Sequence, residues 1–306
     1  MAAASASADA APAPSRIVVM GPSGCGKSTV GEALARSLAW SYIEGDDFHP
    51  PSNVEKMRAG VALDDADRAG WLDALAAQLA EARADGRGAV LACSALKRRY
   101  RDRLRQGAPD LRIVYLHGDR PTLAARLAAR RHRYMPASLL TSQLEALEPP
   151  APDEQAFGFD VDRDPAQIVA ELLAVLRGRA AAFTQTLLYT GDDGRARWRE
   201  RTVVLDQGTP QTRLSAPMAS GGLQLRESPV GFRSDFHCTG TPQWVFILRG
   251  LMEIGLQDGS LRRFGPGEHF YSADRLPDGE IFDPARHGHW SRQAGGEPLV
   301  TAFVRS

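Results

Sequence analysis

Two regions of different fold class are predicted: an α/β domain whose parallel sheet is covered by helices on both faces, followed by an all-β domain. Three observations predict this. A glycine-rich loop, Gly21-x4-Gly26-Lys27-Ser28, lies between a β-branched apolar run and a helical repeat. Strand-like and helix-like segments then alternate to about residue 176, the order of a parallel sheet. From about residue 180 helical periodicity stops, and short strand-like runs appear between Gly, Pro and Asp turns.

Each element has its own signal. "RIVVM", residues 16–20, is a buried strand feeding the loop, and Val30, Leu34 and Leu38 recur at helical spacing after it. "WSYIEGD" is a second strand, and 67–84 a helix carrying Trp71, Leu72, Leu75 and Leu79. A strand at "GAVLACS", a helix through 96–106, a strand at "LRIVYLHGD" and helices at 121–131 and 138–146 follow. A short strand near "FGFDVD" and a helix from Pro165 to Leu176 complete the alternation. The later runs "RTVVL", "GGLQLRES", "QWVFILRG", "LMEIGLQDGS", "EHFYSA" and "LVTAFV" have the texture of a sandwich or barrel.

The length of 306 residues suits two domains at about 100–200 residues each. The boundaries are placed at 16–178 and 185–306, with a linker at 179–184. The 37 basic and 37 acidic side chains cancel, so net charge gives no support to binding nucleic acid. Three cysteines, Cys25, Cys93 and Cys238, form no CxxC pair, which points to a reducing, cytoplasmic setting. The opening "MAAASASADAAPAP" lacks the basic and apolar regions of a signal peptide, and residues 1–15 are expected to be a disordered tail. No run is long enough to span a membrane, so no membrane partner is expected.

The glycine-rich loop satisfies the Walker A spacing, and the whole stretch Gly21, Pro22, Ser23, Gly24, Cys25, Gly26, Lys27, Ser28, Thr29 is assigned to the phosphates of ATP or GTP. Backbone N–H groups face the phosphates, Lys27 reaches the β- and γ-phosphates, and the Ser28 hydroxyl ligates Mg²⁺. The helix that follows points its N-terminus at the same place. Phosphoryl transfer to an alcohol also needs a carboxylate to orient the hydroxyl and accept its proton. Asp46 and Asp47 stand at a strand's carboxyl end with His49 close by, although turn chemistry before Pro50-Pro51 accounts for an Asp pair equally well.

"GDDFHPPSNVEKM", followed by "ALDDADRAGWL", "CSALKRRYRDRLR" and "SQLEALEPP", resembles the gluconokinase family over roughly residues 16–176. The resemblance implies a nucleoside-monophosphate-kinase-like α/β P-loop kinase domain and ATP-dependent phosphorylation of D-gluconate at its 6-hydroxyl. It further implies Asp46 as the carboxylate that orients that hydroxyl, and kinases of this kind are often homodimers. His49, Lys56 and Arg68 are candidates for the polyol and carboxylate of the substrate, which needs one or two cations. Lys97 and Arg101, one helical turn apart, are expected to point at the same anion, with a solvated basic face as the alternative. Arg126 and Arg130 are the catalytic candidates in the position of a mobile lid. Gln143 reads either as a substrate contact or as packing for the lid's return. A different hydroxy acid, such as shikimate or a keto-gluconate, and a nucleotide-switched sugar-acid sensor are the competing functions.

"GFRSDFHCTGTPQWVFILRG" and "FGPGEHFYSADRLPDGEIFDPARHGHWSRQ" resemble the two motifs of the cupin family, a jelly-roll barrel, over roughly residues 185–306. Gly231, His237 and Gly250 fall in register with the first, and Gly267, Pro284 and His289 with the second. Thr239 and Gln243 replace a His and a Glu, and Gln293 replaces an Asn. His237, Gln243 and His289 are then the candidate metal set, with His269 and His287 nearby but out of register. Two imidazoles without an anionic ligand hold a divalent ion poorly, so a metal-free binding or structural barrel is expected.

Overall fold

The computed structural model describes residues 12–129 and 138–306. They form two compact units, one running to Phe183 and taking in Thr202–Ser215, the other made of Thr184–Arg201 and Ala216–Ser306.

The first unit is built on a five-stranded parallel sheet in the order β2-β3-β1-β4-β5. Its strands are β1 (Arg16–Met20), β2 (Ser41–Glu44), β3 (Ala89–Ala92), β4 (Arg112–His117) and β5 (Phe157–Asp160). The helices are α1 (Lys27–Leu38), α2 (Pro51–Arg58), α3 (Asp65–Ala84), α4 (Arg98–Gly107), α5 (Arg120–Ala129), α6 (Ser138–Ala146) and α7 (Pro165–Leu176). Side chains of a strand alternate between faces, and β1 shows it. Ile17 and Val19 pack with Leu34 and Leu38 of α1, Leu123 of α5, Leu140 of α6 and Ile168 and Leu172 of α7. Val18 and Met20 pack with Trp71, Leu75 and Leu79 of α3 and Leu104 of α4. A β1 buried along its whole length therefore delivers the loop after Met20 to the middle of the sheet's carboxyl edge.

The sequence reading leaves out α2, which begins directly after Pro50 with Pro51 in its first turn, where a missing N–H costs nothing. The start of α3 is fixed by a reciprocal cap. Asp64 Oδ1 accepts from the Asp67 N–H at 2.8 Å, and Asp67 Oδ2 accepts from the Asp64 N–H at 3.0 Å.

The second unit contains a six-stranded sheet in the order β10-β16-β11-β14-β6-β7 and a three-stranded one in the order β13-β12-β15. The strands are β6 (Ala181–Thr190), β7 (Ala196–Leu205), β10 (Gly222–Ser228), β11 (Gln243–Arg249), β12 (Leu251–Gly255), β13 (Leu261–Phe264), β14 (His269–Ala273), β15 (Trp290–Ala294) and β16 (Leu299–Arg305). A separate hairpin, β8 (Gln207–Thr209) and β9 (Thr212–Leu214), belongs to the first unit. Val245, Ile247 and Phe270 of the large sheet meet Met252, Ile254 and Phe264 of the small one in a common core. Two sheets sharing one core make a β-sandwich. Strand β6 starts at Ala181, and Ala180 is buried.

Candidate functional site

Three glycines shape the phosphate loop. Gly21 has φ 141°, and a Cβ there would sit 2.2 Å from the Leu116 carbonyl oxygen. At Gly24 it would meet the Leu123 carbonyl oxygen of α5 at 2.8 Å, so only glycine allows this approach. Gly26, at φ 91°, is the N-cap of α1, and no side chain caps this end. The first N–H groups of α1 thus remain available to an anion. Lys27 Nζ folds back to donate to the Pro22 carbonyl at 3.0 Å. The N–H of Ser23 donates to Gln143 Oε1 of α6 at 2.7 Å. Gln143 therefore lies on the loop itself.

At the end of β2 the chain makes a 3-10 turn, Gly45–Phe48. A Cβ on Gly45 would lie 2.5 Å from the Ala92 carbonyl oxygen at the end of β3, so this turn packs directly against the neighbouring strand. Trp71 Nε1 donates to the Gly45 carbonyl at 2.7 Å and pins it from α3. His49 stacks on Trp71 with ring centroids 4.3 Å apart and planes 13° from parallel. Asp46 is left exposed beside them. Burial lowers the His49 pKa, opposed by the nearby Asp46 and reinforced by the Arg68 cation. The buried Cys93 thiol, just past β3, is pushed up to about 12, chiefly by desolvation. The charges of Asp46, Lys27 and Arg68 all act on it as well. The fold therefore gathers a phosphate-loop lysine, an exposed carboxylate, an arginine and an imidazole at one edge of the sheet.

A second cationic group surrounds Tyr100 of α4. Arg68, Lys97 and Arg99 each lie 5.7 Å from its ring centroid. Asp65 accepts from the Tyr100 hydroxyl, from Arg99 and, at 3.0 Å, from Lys97. The Tyr100 hydroxyl and then Lys97 hold the Asp65 carboxyl down to about 2. Arg68 also donates to the Leu63 carbonyl at 3.1 Å. Lys56 stands on the exposed side of α2, paired with Asp67 at 2.5 Å.

Arg101 corrects the expectation that it joins Lys97 on an anion. It is 1% exposed. Its Nε and Nη2 donate to the two Glu154 oxygens at 2.7 Å each, and Nη1 serves the carbonyls of Ala95, Leu96 and Glu148. Every arm of the guanidinium is engaged inside the protein, so Arg101 locks the return from α6 against α4. In the lid region, Arg126 donates to the Val161 carbonyl at 2.5 Å. Arg130 lies outside the described residues.

Sequence reasoning missed Asn53, Tyr100 and Asp65 as parts of this region. Asn53 is 2% exposed and donates to the Asp67 carbonyl at 2.8 Å, also meeting His49 Nδ1 at 3.5 Å. Helical spacing offers a signal for some of it, since Asp64, Asp67, Arg68 and Trp71 fall on neighbouring turns.

In the second unit His237 and His289 stand together, their rings 4.6 Å apart and their backbones joined in an antiparallel bridge. The remaining members of the candidate metal set do not complete it. Gln243 opens β11, His287 bonds to Glu280 at 2.8 Å, and His269 lies against Trp244 and Phe246. Among the described residues no group of three His, Cys, Asp or Glu is placed to hold a metal. The partner that the motif reading missed is Asp274, fully buried, whose Oδ2 accepts from His289 Nδ1 at 2.6 Å.

Residues 17–150 match the family described as an AAA domain. The chain is 49% identical over 162 residues to the gluconokinase of Gluconobacter oxydans, a match covering 52% of this chain and 90% of that protein. It is 38% identical to the thermosensitive gluconokinase of Escherichia coli K12, covering 54% of this chain and 91% of that one. A solved gluconokinase from Sinorhizobium meliloti superposes with a TM-score of 0.50 at 48% identity, over 54% of this chain and 93% of that chain. A sugar kinase from Janibacter superposes with a TM-score of 0.51 at 38% identity, over 53% and 93%. With a P-loop kinase fold in its N-terminal half and relatives covered almost end to end, the chain belongs to the gluconokinase family.

Proposed function

We propose that the chain transfers the γ-phosphoryl group of ATP to the 6-hydroxyl of D-gluconate, giving 6-phosphogluconate and ADP. The observation that carries this reading is that the adjacent parallel strands β2, β3 and β1 carry Asp46 and the phosphate loop with Lys27 past their carboxyl ends, with His49 held on Trp71 beside Asp46. Lys27 and the N-terminus of α1 hold the donor phosphates, and the Ser28 hydroxyl would hold a Mg²⁺ ion, which would offset the charge of the phosphates. Asp46, exposed at the end of β2, orients the acceptor hydroxyl and takes its proton as the new P–O bond forms. Arg68 and Lys97 supply cations for the gluconate carboxylate, His49 bonds its hydroxyls, and Arg126 stabilises charge on the transferring group. Lys56, in an exposed pair with Asp67, is a peripheral contributor.

The second unit, residues 185–306 in this reading, is a cupin-like barrel without a catalytic metal, carried by a cytoplasmic enzyme that forms homodimers. Its two facing sheets and the His237–His289 pair support the likeness. A coupled assay of ADP release with D-gluconate tests the activity, with Lys27→Ala as the control. Activity no greater than the control sinks the proposal. Asp46→Asn is expected to lower kcat by about 10²–10⁴ with little change in the KM for ATP.

A further inference from the structure

The large sheet of the second unit changes character along its inner face. Cross-strand partners share a face, and the register of β10, β16, β11 and β14 puts Val245, Phe270 and Phe303 in one row. Val245 and Phe270 belong to the core. The next row reads Arg305, Gln243 and Ser272, while on the same face of the edge strand β10 Gln224 stands opposite Phe303 and Arg226 opposite Thr301, on the other side of the apolar row. These side chains border a cleft of about 420 Å³ lined by Gln224, Arg226, Glu227, Gln243, Phe303 and Arg305.

Glu227 also lines the cleft but is paired with Arg249 at 2.9 Å, so among the described residues Arg226 and Arg305 have no carboxylate partner. Arg305 is used by Gln224 Oε1 at 2.9 Å, which leaves its cation without a carboxylate there. Arg226 lies over the Phe232 ring at 4.5 Å and the Phe303 ring at 6.0 Å, and among the described residues no hydrogen bond or ion pair reaches its guanidinium. An exposed arginine laid over an aromatic ring and without an acidic partner is a ready partner for an anion. Nearby, Arg226 acts electrostatically on His237.

Elsewhere in the unit, His237 and His289 are each held through Nδ1. His237 Nδ1 lies 2.9 Å from the Asp235 carbonyl, an oxygen that only accepts, so Nδ1 carries the proton. Asp274 receives His289 Nδ1 and, at 2.6 Å on its other oxygen, the Thr239 hydroxyl, which shares a hydrogen bond of 2.6 Å with Ser272.

We infer that this cleft binds a small polyhydroxy carboxylate, with Arg226 and Arg305 facing the carboxylate and Gln224 and Gln243 bonding the hydroxyls. The site is distinct from the phosphate loop and needs no metal. Isothermal titration of the full chain with D-gluconate is expected to read two equivalents, one at each site. Arg226→Gln, which preserves much of the stem over Phe232, is expected to weaken one of them by about tenfold or more, the scale of a lost charged hydrogen bond. Its rate of ADP release at saturating gluconate should be unchanged, and Arg226→Lys should retain both equivalents. If the kinase reading were wrong, a single Arg226-dependent equivalent would still appear. The inference is overturned if Arg226→Gln, folded by circular dichroism, binds as the parent does, or if inorganic phosphate rather than gluconate fills the Arg226-dependent site.

Discussion

Gln143 of α6 accepts the backbone N–H of Ser23 at 2.7 Å, joining the phosphate loop to a helix 120 residues further along the chain. The side chain is 8% exposed, so the bond is shielded from competing water. Of the two readings open from sequence, substrate contact or packing, this geometry favours neither. Gln143 steadies the loop that receives ATP.

Gln143→Leu should therefore act on the nucleotide rather than on the acceptor. Loss of one buried hydrogen bond is worth about 1 kcal/mol, a rise of about fivefold in the KM for ATP with the KM for gluconate unchanged. Steady-state kinetics with each substrate varied in turn decide it. A fall in the KM for ATP would mean that Gln143 competes with the nucleotide for the Ser23 donor.

Gly45→Ala should damage the acceptor side through the backbone. Its Cβ would lie 2.5 Å from the Ala92 carbonyl oxygen, and neither strand end yields without moving the turn that carries Asp46. Such overpacking costs about 1–3 kcal/mol. Thermal melts and kcat should fall together, whereas Gly70→Ala, with nothing within 4 Å of the new methyl, should leave both near the parent's values.

Arg101→Ala should be a stability mutation. It leaves Glu154 with only Arg105, at 3.1 Å, and the Ala151 N–H, and breaking a buried ion pair in this way costs about 3–5 kcal/mol. Urea unfolding measures it. Replacing both partners, Arg101→Met with Glu154→Leu, should recover much of the loss. A selective rise in the KM for gluconate with unchanged stability would restore Arg101 to the substrate site.

Acid should destabilise the fold through its histidines. Burial is the first cause lowering the pKa of His49, His237 and His269. As pH falls through about 6.5 the unfolded chain takes up protons that the folded chain refuses until lower pH. Their contribution is thus complete above that value and declines from about pH 7 to 5. Melts across this range should show the decline, and His49→Gln should flatten it.

Much of the first unit was legible because its signals are local. "RIVVM" before the Walker spacing places strand, loop and helix without reference to the rest of the chain, and β1, α1 and α7 appear where periodicity puts them. The region around Asp46 was legible as chemistry. Its support was not, because the Gly45 contact with Ala92 and the Trp71 bond to the Gly45 carbonyl join segments far apart in sequence.

The basic stretch "CSALKRRYRDRLR" shows where local reading stops. Helical spacing puts Lys97 and Arg101 within reach of one anion, yet α4 turns Arg101 inward to Glu154, 53 residues away, while Lys97 turns to Asp65. Which arginine is buried depends on where a distant carboxylate is delivered, and no periodicity encodes that. In the second unit the motif register brought His237 and His289 together, while Asp274 became visible only when β14 was laid beside them. The sequence by itself determined the alternation of strands and helices in the first unit, the phosphate loop and the family. Tertiary structure alone decided which charges face one another, because the pairing of buried groups is set by packing between segments remote along the chain.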